Sequence, residues 1–561
     1  MVTEPHGTEE RSGYPDVLRR PVVAGALLLV VYVVLSMFND PRAYLGTDTG
    51  GKVATLRVME ERGTLEPDVG YWAERWDPDG RVHPLYYTFQ VGDRWVNVTT
   101  LPMLYAGYPL YRLGGYRLAL MLPMIGSVLS ALAARALARR LGGGDGWTAF
   151  WIVGLASPLT IYALDFWEHS LGVAALAWAA VVLVDIVESR RPPTWALAAG
   201  VLFGGAATLR TEALVYAFVA VALACLLMWL GRRRFAAAIV AGALAAAGLS
   251  LPLAANTALE RATAEGAIRS TRAAGTASAA VSQTDVRKKR VEEALLNAAA
   301  ITPRQEPSSY LVGFALLGLL AFVAVRTAGP GDTGPAAIAA AGAAALYLIR
   351  FGYGPGFVPG LVAATPIAAA GLALGWTSRA ARYLLGVGLG ALPLVWATQY
   401  QGGAAPQWAG RYLLVSGLLF GVAGVVALPR LRPWAQRTFV GMAAVITAFG
   451  LVWMSMRTND AGASLAALNR RPEPVVVSRI GHLAREGGAF YGDKRWLTAP
   501  TDEDQAFAVG VLEQAGTREF ALVDLEVSGE PDAPAGWRET GRDRLKFIGR
   551  LHLTVTTYQA R

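Results

Sequence analysis

The sequence predicts an all-α polytopic membrane protein with about 13 transmembrane helices and a small extracytoplasmic α/β domain at its C-terminal end. The first observation is composition: 54% of the 561 residues are hydrophobic and 17% are charged, whereas soluble domains average about 25% charged residues. The second is a series of long apolar runs between residues 21 and 456. The third is a change after residue 456 to short segments that are typical of strands.

Thirteen apolar segments are candidate spans, since a helix needs about 20 apolar residues to cross the hydrocarbon core. Several are rich in alanine and glycine, which let helices approach closely in lipid. The single cysteine, Cys225, lies in one of them and can form neither an internal disulfide nor a thiolate metal site. The segments are 21–38, 117–138, 147–164, 170–187, 194–209, 213–230, 235–255, 309–326, 335–350, 357–376, 383–399, 411–428 and 437–456.

Arginine in the short loops predicts the orientation. Thirteen such arginines fall on one side of the spans and three on the other, which places the N-terminal tail, residues 1–20, in the cytoplasm and the C-terminus outside. The net charge of +9 therefore reflects topology, and no basic stripe with interleaved aromatics predicts a nucleic-acid partner. We expect a multi-pass protein of a bacterial plasma membrane. The two sets are Arg139, Arg140, Arg190, Arg191, Arg232, Arg233, Arg234, Arg326, Arg379, Arg382, Arg430, Arg432 and Arg437 inside, and Arg210, Arg350 and Arg411 outside.

Three segments project outward under this topology: residues 39–116, 256–308 and 457–561. The second carries a helical, basic stretch. The third contains strand-like EPVVVSRI and REFALVDLEV, helical AFAVGVLEQAG between them, and LKFIGRLHLTVTTY, which predicts one or two closing strands. The last hundred residues are therefore expected to form a small extracytoplasmic α/β domain.

A single acid follows the first span. Asp48 lies among small residues in LGTDTGGK at residues 45–52, directly before VATLRVMEERGTL, which predicts a helix. One interpretation is that Asp48 caps this helix, since Asp and Thr are favoured at that position. The other is that small neighbours leave room for two substrates to reach its carboxylate.

Two further elements of the first outer segment follow Asp48: HPLYY at residues 83–87, and LGGYRL at residues 113–118, which leads into the second span. This layout resembles the GT-C superfamily of polyprenyl-phosphate-sugar glycosyltransferases. That group includes protein O-mannosyltransferases, lipid A aminoarabinose transferases and oligosaccharyltransferases. Its members carry an Asp in the first outer loop, followed by a basic-Pro-Pro-Leu-Tyr element.

The resemblance implies a division of the chain into domains. Residues 21–255, including the outer loop 39–116, would form the seven-helix catalytic module of the family. Residues 309–456 would form the more variable transmembrane helices. A polyprenyl-phosphate sugar is the implied donor, a glycan, lipid or protein the implied acceptor, and membrane lipid the implied surrounding.

The resemblance also implies site residues. Asp48 takes the place of the family's catalytic acid, and His83 and Tyr86 take places in the substrate-binding element. The usual family signature is a paired acid, but Thr49 stands at the second position. This departure weakens the case for a divalent metal at Asp48.

The second outer turn, LDFWEHS at residues 164–170, concentrates Asp165, Glu168 and His169 beside a tryptophan. One interpretation is an interfacial Trp anchor with acids that favour the start of the next helix. The family instead places a second acid in this loop, which implies that Asp165 or Glu168 binds the donor sugar or a metal and that His169 binds a metal or a phosphate oxygen. A divalent metal ion is thus a candidate cofactor, with Asp48, Asp165, Glu168 and His169 as candidate ligands.

Two arginines follow in the third and last outer turns. Arg210 and Glu212 lie in TLRTEA at residues 208–213, where an ion pair between them or with other helices is one interpretation. Arg411 and Tyr412 lie in GRYL, where a snorkelling interfacial arginine is the corresponding alternative. The family resemblance assigns both turns to substrate binding, because the planar guanidinium suits phosphate oxygens.

The predicted function is the transfer of a sugar from a polyprenyl phosphate to an extracytoplasmic acceptor hydroxyl, with inversion and with Asp48 as the general base, an effect worth about 10²–10⁴-fold. Three alternatives remain at this stage, of which a non-catalytic assembly or sensor protein is the last. A transporter or flippase of lipid-linked sugars also has many spans, but it usually shows inverted halves with broken helices at the midplane. A polysaccharide polymerase or ligase would differ in its diphosphate-linked substrate.

Overall fold

The structure, a computed structural model, describes residues 20–232, 235–265, 307–352, 359–398, 408–526, 533–549 and 551–561. A bundle of apolar helices carries two extramembrane segments, which pack together on one of its faces. Nearly all of the predicted cytoplasmic tail, residues 1–20, and most of the predicted second outer segment, residues 256–308, lie outside the described residues. Both therefore remain predictions.

The first half of the chain forms helices that follow the predicted apolar segments, with one helix and one antiparallel hairpin between the first two spans. In chain order the elements are α1 (Pro21–Ser36), α2 (Thr47–Arg62), β1 (Thr88–Val91), β2 (Arg94–Asn97), α3 (Leu101–Ala119), α4 (Met121–Arg140), α5 (Trp147–Leu155), α6 (Pro158–Tyr162), α7 (His169–Val187), α8 (Ala196–Leu209), α9 (Glu212–Arg232) and α10 (Phe235–Ala264).

The second group of helices completes the bundle and leads to the C-terminal domain. Its members are α11 (Pro307–Ala328), α12 (Gly334–Gly352), α13 (Leu361–Ala364), α14 (Ile367–Leu374), α15 (Arg379–Thr398), α16 (Leu414–Ala427) and α17 (Pro433–Asn469).

The described part of the chain contains eight helices that are long and apolar enough to cross a membrane, and three shorter apolar helices. The chain is a multi-pass membrane protein, as predicted. The two remaining predicted spans, 147–164 and 357–376, are interrupted: the first forms α5 and α6, and the second contains α13 and α14. The number of segments that cross the bilayer stays a prediction.

Both interruptions lie at a residue that precedes a proline. Ser157, before Pro158, has φ −143° and ψ 168°, and Thr365, before Pro366, has φ −131° and ψ 67°. A residue in this position avoids the helical region, and the proline that follows has no N–H to donate. The Ser157 side chain also caps α6 by accepting a hydrogen bond from the Leu159 N–H at 3.2 Å.

The last membrane helix continues into the extramembrane domain. Helix α17 runs to Asn469, beyond the predicted end at residue 456. Its Leu465 and Leu468 are buried against the domain's sheet residues Val476 and Val523. An uninterrupted helix therefore connects the bundle to the C-terminal domain.

The C-terminal domain is the predicted α/β unit. Its sheet has the order β4-β3-β5-β7-β6, in which β4, β3 and β5 are parallel and β7 and β6 are antiparallel to their neighbours. The elements are β3 (Val475–Ser478), α18 (Leu483–Glu486), β4 (Arg495–Thr498), α19 (Asp502–Gln514), β5 (Glu519–Leu525), β6 (Trp537–Ile548) and β7 (Leu551–Ala560).

The first outer segment and the C-terminal domain share one hydrophobic core. Val69 and Trp95 of the outer segment belong to the same buried cluster as Val477, Leu512 and Phe520 of the domain. Two segments from opposite ends of the chain thus form one extramembrane unit, and α2 lies at its contact with the bundle.

Candidate functional site

Asp48 lies in the first turn of α2, which begins at Thr47. The N-cap is Gly46, and no side chain caps the helix, so Asp48 is not the capping residue that one interpretation of the sequence proposed. Its carboxylate is favoured by the positive end of the helix dipole. The side chain is 28% exposed and is therefore accessible to solvent.

Two guanidinium groups flank this carboxylate. Arg411 Nη1 lies 3.5 Å from Asp48 Oδ2, and Arg485 Nη2 lies 3.5 Å from Asp48 Oδ1. Arg411 was a predicted site residue, whereas sequence reasoning missed Arg485. The two arginines approach from opposite parts of the protein, the helix bundle and the C-terminal domain.

Arg411 opens a short turn, Arg411–Leu413, at the start of α16. Its guanidinium carbon lies 5.6 Å from the ring centre of Trp167 and 4.9 Å from that of Tyr412, and its Nη2 donates a hydrogen bond to Tyr412 Oη at 3.2 Å. These aromatic contacts hold the cation at the end of an apolar helix.

Arg485 lies on α18, and its side chain is only 3% exposed. Helix α18 packs against the first turns of α2 because that helix carries two glycines. A Cβ on Gly50 would overlap the backbone carbonyl of Arg485, and a Cβ on Gly51 would lie 2.8 Å from Arg485 Nη2. The glycine pair is a signal of close approach in the sequence, but it does not name the partner.

Asp165 anchors the start of α2 from the second outer turn. Its fully buried carboxylate accepts hydrogen bonds from the Leu45 N–H at 3.2 Å, Thr49 Oγ1 at 2.7 Å and Tyr116 Oη at 3.2 Å. Burial raises the pKa of Asp165 to about 6, although these donors favour the ionised form. Thr49, which replaces the second acid of the family pattern, is thus a donor to Asp165.

Glu168 connects the second outer turn to α2 and to the third outer turn. It forms buried ion pairs with Lys52 and with Arg210, whose Nη1 lies 3.2 Å from Glu168 Oε1. Arg210 Nε also lies 2.9 Å from Glu212 Oε1. Burial opposes ionisation of Glu168, but the charges of Lys52 and Arg210 hold its pKa below the usual value.

The charged turns therefore converge on one network. Arg210 lies 4.9 Å from the ring centre of Tyr412, the tyrosine that also contacts Arg411. Among the carboxylates of the network, only Asp48 has an appreciably exposed side chain. The members are the acids Asp48, Asp165, Glu168 and Glu212 and the cations Lys52, Arg210, Arg411 and Arg485.

The buried polar atoms in or beside the network that have no hydrogen-bond partner among the described residues include Trp167 Nε1, His169 Nε2 and Glu212 Oε2. The ring centres of Trp167 and His169 are 4.7 Å apart, and the ring centres of Tyr162 and His169 are 5.1 Å apart. Buried polar atoms without a partner are costly in a folded protein. They are candidates for contact with a ligand or water.

His83 and Tyr86 occupy different surroundings. His83 is buried, with its ring stacked 5.1 Å from Trp95 and 4.8 Å from Tyr71, and its Nε2 lies 3.3 Å from the Gly70 carbonyl. Burial lowers its pKa to about 4, so the ring is a neutral core residue at pH 7. Tyr86 is 52% exposed.

The arrangement does not fit a divalent metal. No group of three or more His, Cys, Asp or Glu residues in the described ranges is arranged to hold one. Each candidate carboxylate already faces cations or hydrogen-bond donors: Asp48 faces two arginines, Asp165 three donors, and Glu168 a lysine and an arginine.

No family model and no curated protein matches this chain. Solved structures with a similar fold include the oligosaccharyltransferase of Archaeoglobus fulgidus in complex with Zn and sulfate. It is 12% identical with a TM-score of 0.42, over 88% of this chain and 67% of that chain.

ArnT from Cupriavidus metallidurans is similar in two states. The form bound to undecaprenyl phosphate is 14% identical with a TM-score of 0.41, over 94% of this chain and 97% of that chain. The apo form is 15% identical with a TM-score of 0.36, over 95% of this chain and 97% of that chain. At this distance the function proposed below rests on the side chains around Asp48.

Proposed function

We propose that this protein is an integral-membrane glycosyltransferase that moves a sugar from a polyprenyl phosphate to an acceptor hydroxyl outside the membrane. The observation that carries the proposal is the position of Asp48, a partly exposed carboxylate between two arginines. A base and an anion-binding group thus lie side by side where the bundle meets the extramembrane unit.

Asp48 is the proposed general base. The other carboxylates of the network are buried and engaged with cations or donors, so only Asp48 is open to an incoming hydroxyl. The two neighbouring guanidinium groups and the helix N-terminus attract its negative charge. A positioned carboxylate of this kind is worth about 10²–10⁴-fold in rate.

Arg411 is the proposed contact for the donor phosphate. It lies at the start of an apolar helix that is long enough to cross a membrane, and we infer that this end of the helix meets the phosphate of a membrane-embedded lipid. Its planar guanidinium can bind two phosphate oxygens. Because Asp48 is its present partner, an incoming phosphate would draw Arg411 away from Asp48 and leave the carboxylate free to accept a proton.

The chemical step is a single displacement. The acceptor hydroxyl gives its proton to Asp48 as its oxygen attacks the anomeric carbon, and the bond between that carbon and the phosphate oxygen breaks. The electron pair leaves with the phosphate, whose added charge Arg411 stabilises. One base on one side of the sugar gives inversion of the anomeric configuration.

Other members of the network position these groups. Asp165 holds the first turn of α2 through Thr49, and Glu168 holds the next turn through Lys52. The unpartnered atoms of Trp167, His169 and Glu212 are the proposed contacts for sugar hydroxyls.

The test is transfer by the full chain in lipid nanodiscs. Polyprenyl phosphates carrying radiolabelled hexoses or pentoses serve as donors, and cell-envelope material serves as acceptor. Asp48→Asn is expected to lower transfer by about 10² or more while the protein remains folded and binds undecaprenyl phosphate. Glu61→Gln, which removes an exposed carboxylate of the same helix, is the matched control and keeps wild-type transfer.

Full transfer by Asp48→Asn would contradict the proposal. Movement of the lipid-linked sugar across the bilayer without cleavage from its carrier would instead favour a flippase.

A further inference from the structure

An exposed tyrosine pair lies beside the site. Tyr86 is 52% exposed and Tyr87 is 37% exposed, and their ring centres are 4.0 Å apart. Both directly precede β1, in the outer segment. Together the two rings present aromatic surface to solvent beside the site.

The backbone of this pair is held in an unusual conformation. Tyr87 has φ +63°, in the left-handed region that bulky side chains rarely adopt. Neighbouring contacts hold it there: the Val98 N–H donates to the Tyr87 carbonyl at 2.9 Å, and Asn97 Nδ2 donates to the Tyr86 carbonyl at 3.2 Å. Backbone strain that surrounding structure maintains tends to occur at functional sites.

One side chain, that of Arg485, lies near both Tyr87 and Asp48. The guanidinium carbon of Arg485 lies 5.9 Å from the ring centre of Tyr87, and the same guanidinium lies 3.5 Å from Asp48. Arg485 belongs to the C-terminal domain, so the tyrosines lie on the extramembrane side of the base. Arg411, the proposed phosphate contact, lies on the bundle side.

We propose that Tyr86 and Tyr87 form the acceptor subsite and that the acceptor is a saccharide chain. The inference rests on the transferase function proposed above and names its acceptor class. The C–H face of a sugar ring packs against an aromatic ring, while the phenol hydroxyls and the charged rim of the site meet its hydroxyls. A saccharide stacked on this pair directs its next hydroxyl past Arg485 toward Asp48.

Other roles for exposed tyrosines fit these contacts less well. An interfacial anchor lies among lipid headgroups at the end of a span, whereas Tyr87 faces a buried arginine of the extramembrane domain. A lipid acceptor would present its hydroxyl from the bilayer, on the side of Arg411. The pair therefore favours an acceptor that arrives from the aqueous side.

Two measurements test the proposal on the full chain in nanodiscs. The first is binding of defined tetra- to hexasaccharides of common envelope sugars on a glycan array and by saturation-transfer NMR, without donor. The second is the KM and kcat of transfer to the saccharide that binds. The double variant Tyr86→Ala/Tyr87→Gly removes both rings and relieves the strained backbone.

The double variant is expected to lose saccharide binding and to raise the acceptor KM by about tenfold, with kcat and donor KM unchanged. Tyr86→Phe/Tyr87→Phe retains the rings and should restore most of the affinity. Leu65→Ala, which removes an exposed apolar side chain from the same outer segment, should change nothing.

The two proposals fail in different ways. Tyrosine-dependent saccharide binding without transfer from any polyprenyl phosphate would overturn the transferase and leave the saccharide site standing. Transfer to a lipid or peptide only, or an acceptor KM unaffected by loss of both rings, would overturn the saccharide subsite and leave the transferase standing.

Discussion

Arg485 of the C-terminal domain lies 3.5 Å from Asp48 of the first outer helix. The contact makes the C-terminal domain a part of the site, because the side chain that flanks the proposed base comes from outside the helix bundle. It also explains the glycine at residue 50, since a larger residue there would overlap the backbone of α18.

Arg485→Gln is expected to lower kcat/KM for sugar transfer by about 10-fold or more, because one of the two charges that orient and ionise Asp48 is lost. Arg485→Lys should retain part of the activity. Steady-state transfer in nanodiscs measures both. Arg544→Gln, which removes an exposed arginine of the same domain, is the control, and equal activity of the Arg485→Gln and Arg544→Gln proteins would contradict the role.

Gly50→Ala should destabilise the contact between the domain and α2, because its Cβ would overlap the Arg485 carbonyl. We expect a loss of about 1–3 kcal/mol, seen as a lower Tm and as faster proteolysis between the bundle and the domain. Gly205→Ala is the matched control in another helix, since a Cβ there meets nothing within 4 Å. An alanine at residue 50 that leaves both readouts unchanged would contradict the close packing.

Thr49→Asp creates the paired acid that is usual in the GT-C superfamily but is expected to be harmful. It would place a second carboxylate against Asp165, to which Thr49 now donates a hydrogen bond at 2.7 Å. We expect a lower Tm and lost transfer, while Thr49→Ser keeps both. Added Mg²⁺ or Mn²⁺ should not rescue the aspartate variant, and rescue by either metal would show that the turn can build a metal site.

Lys52→Met should lower the free energy of unfolding by about 3–5 kcal/mol, because it leaves Glu168 buried with only Arg210 as a charged partner. Lys52→Met/Glu168→Gln should cost less than the sum of the single changes. Arg42→Gln breaks an exposed ion pair with Asp40 and should cost less than about 1 kcal/mol. The free energy of unfolding in detergent is measured for Lys52→Met, Glu168→Gln, the double variant and Arg42→Gln. A double variant whose loss equals the sum of the single losses would argue against a coupled buried pair.

His83 makes stability depend on pH. Burial lowers its pKa to about 4, so between its ordinary pKa and this value the unfolded chain binds a proton that the folded chain does not. The resulting stability is present above about pH 6.5 and is lost as the pH falls toward 4, by about 1–3 kcal/mol. His83→Phe keeps the stacking and should flatten this part of the Tm profile between pH 7 and 4.5; an unchanged slope would contradict it.

The membrane fold was largely predictable, because apolar runs of sufficient length have few alternatives to a spanning helix. The limits of prediction appear at particular residues. Ser157 and Thr365 precede prolines that divide two predicted spans, and α17 continues past residue 456 because its outer turns find a second core in the C-terminal domain.

The sequence predicted which charged residues stand at helix ends, and the structure brings several of them together; their roles in a site stay predictions. Asp48, Asp165, Glu168, Arg210 and Arg411 were identifiable because ionisable residues beside spans need partners or water, and turns at the same end of a bundle lie near one another. His83 shows the opposite case. Its place in a motif predicted a ligand contact, but burial against Trp95 makes it a core residue.

By itself, the sequence determined which segments are apolar helices, that an α/β domain follows them, and which acids and arginines lie in the turns. Those properties depend on local composition and spacing. Only the tertiary structure decided that Arg485 flanks Asp48. It also decided that Lys52 pairs with Glu168 and that Thr49 donates a hydrogen bond to Asp165. Such pairs join residues far apart in the chain, and which donor meets which carboxylate depends on how buried surfaces pack.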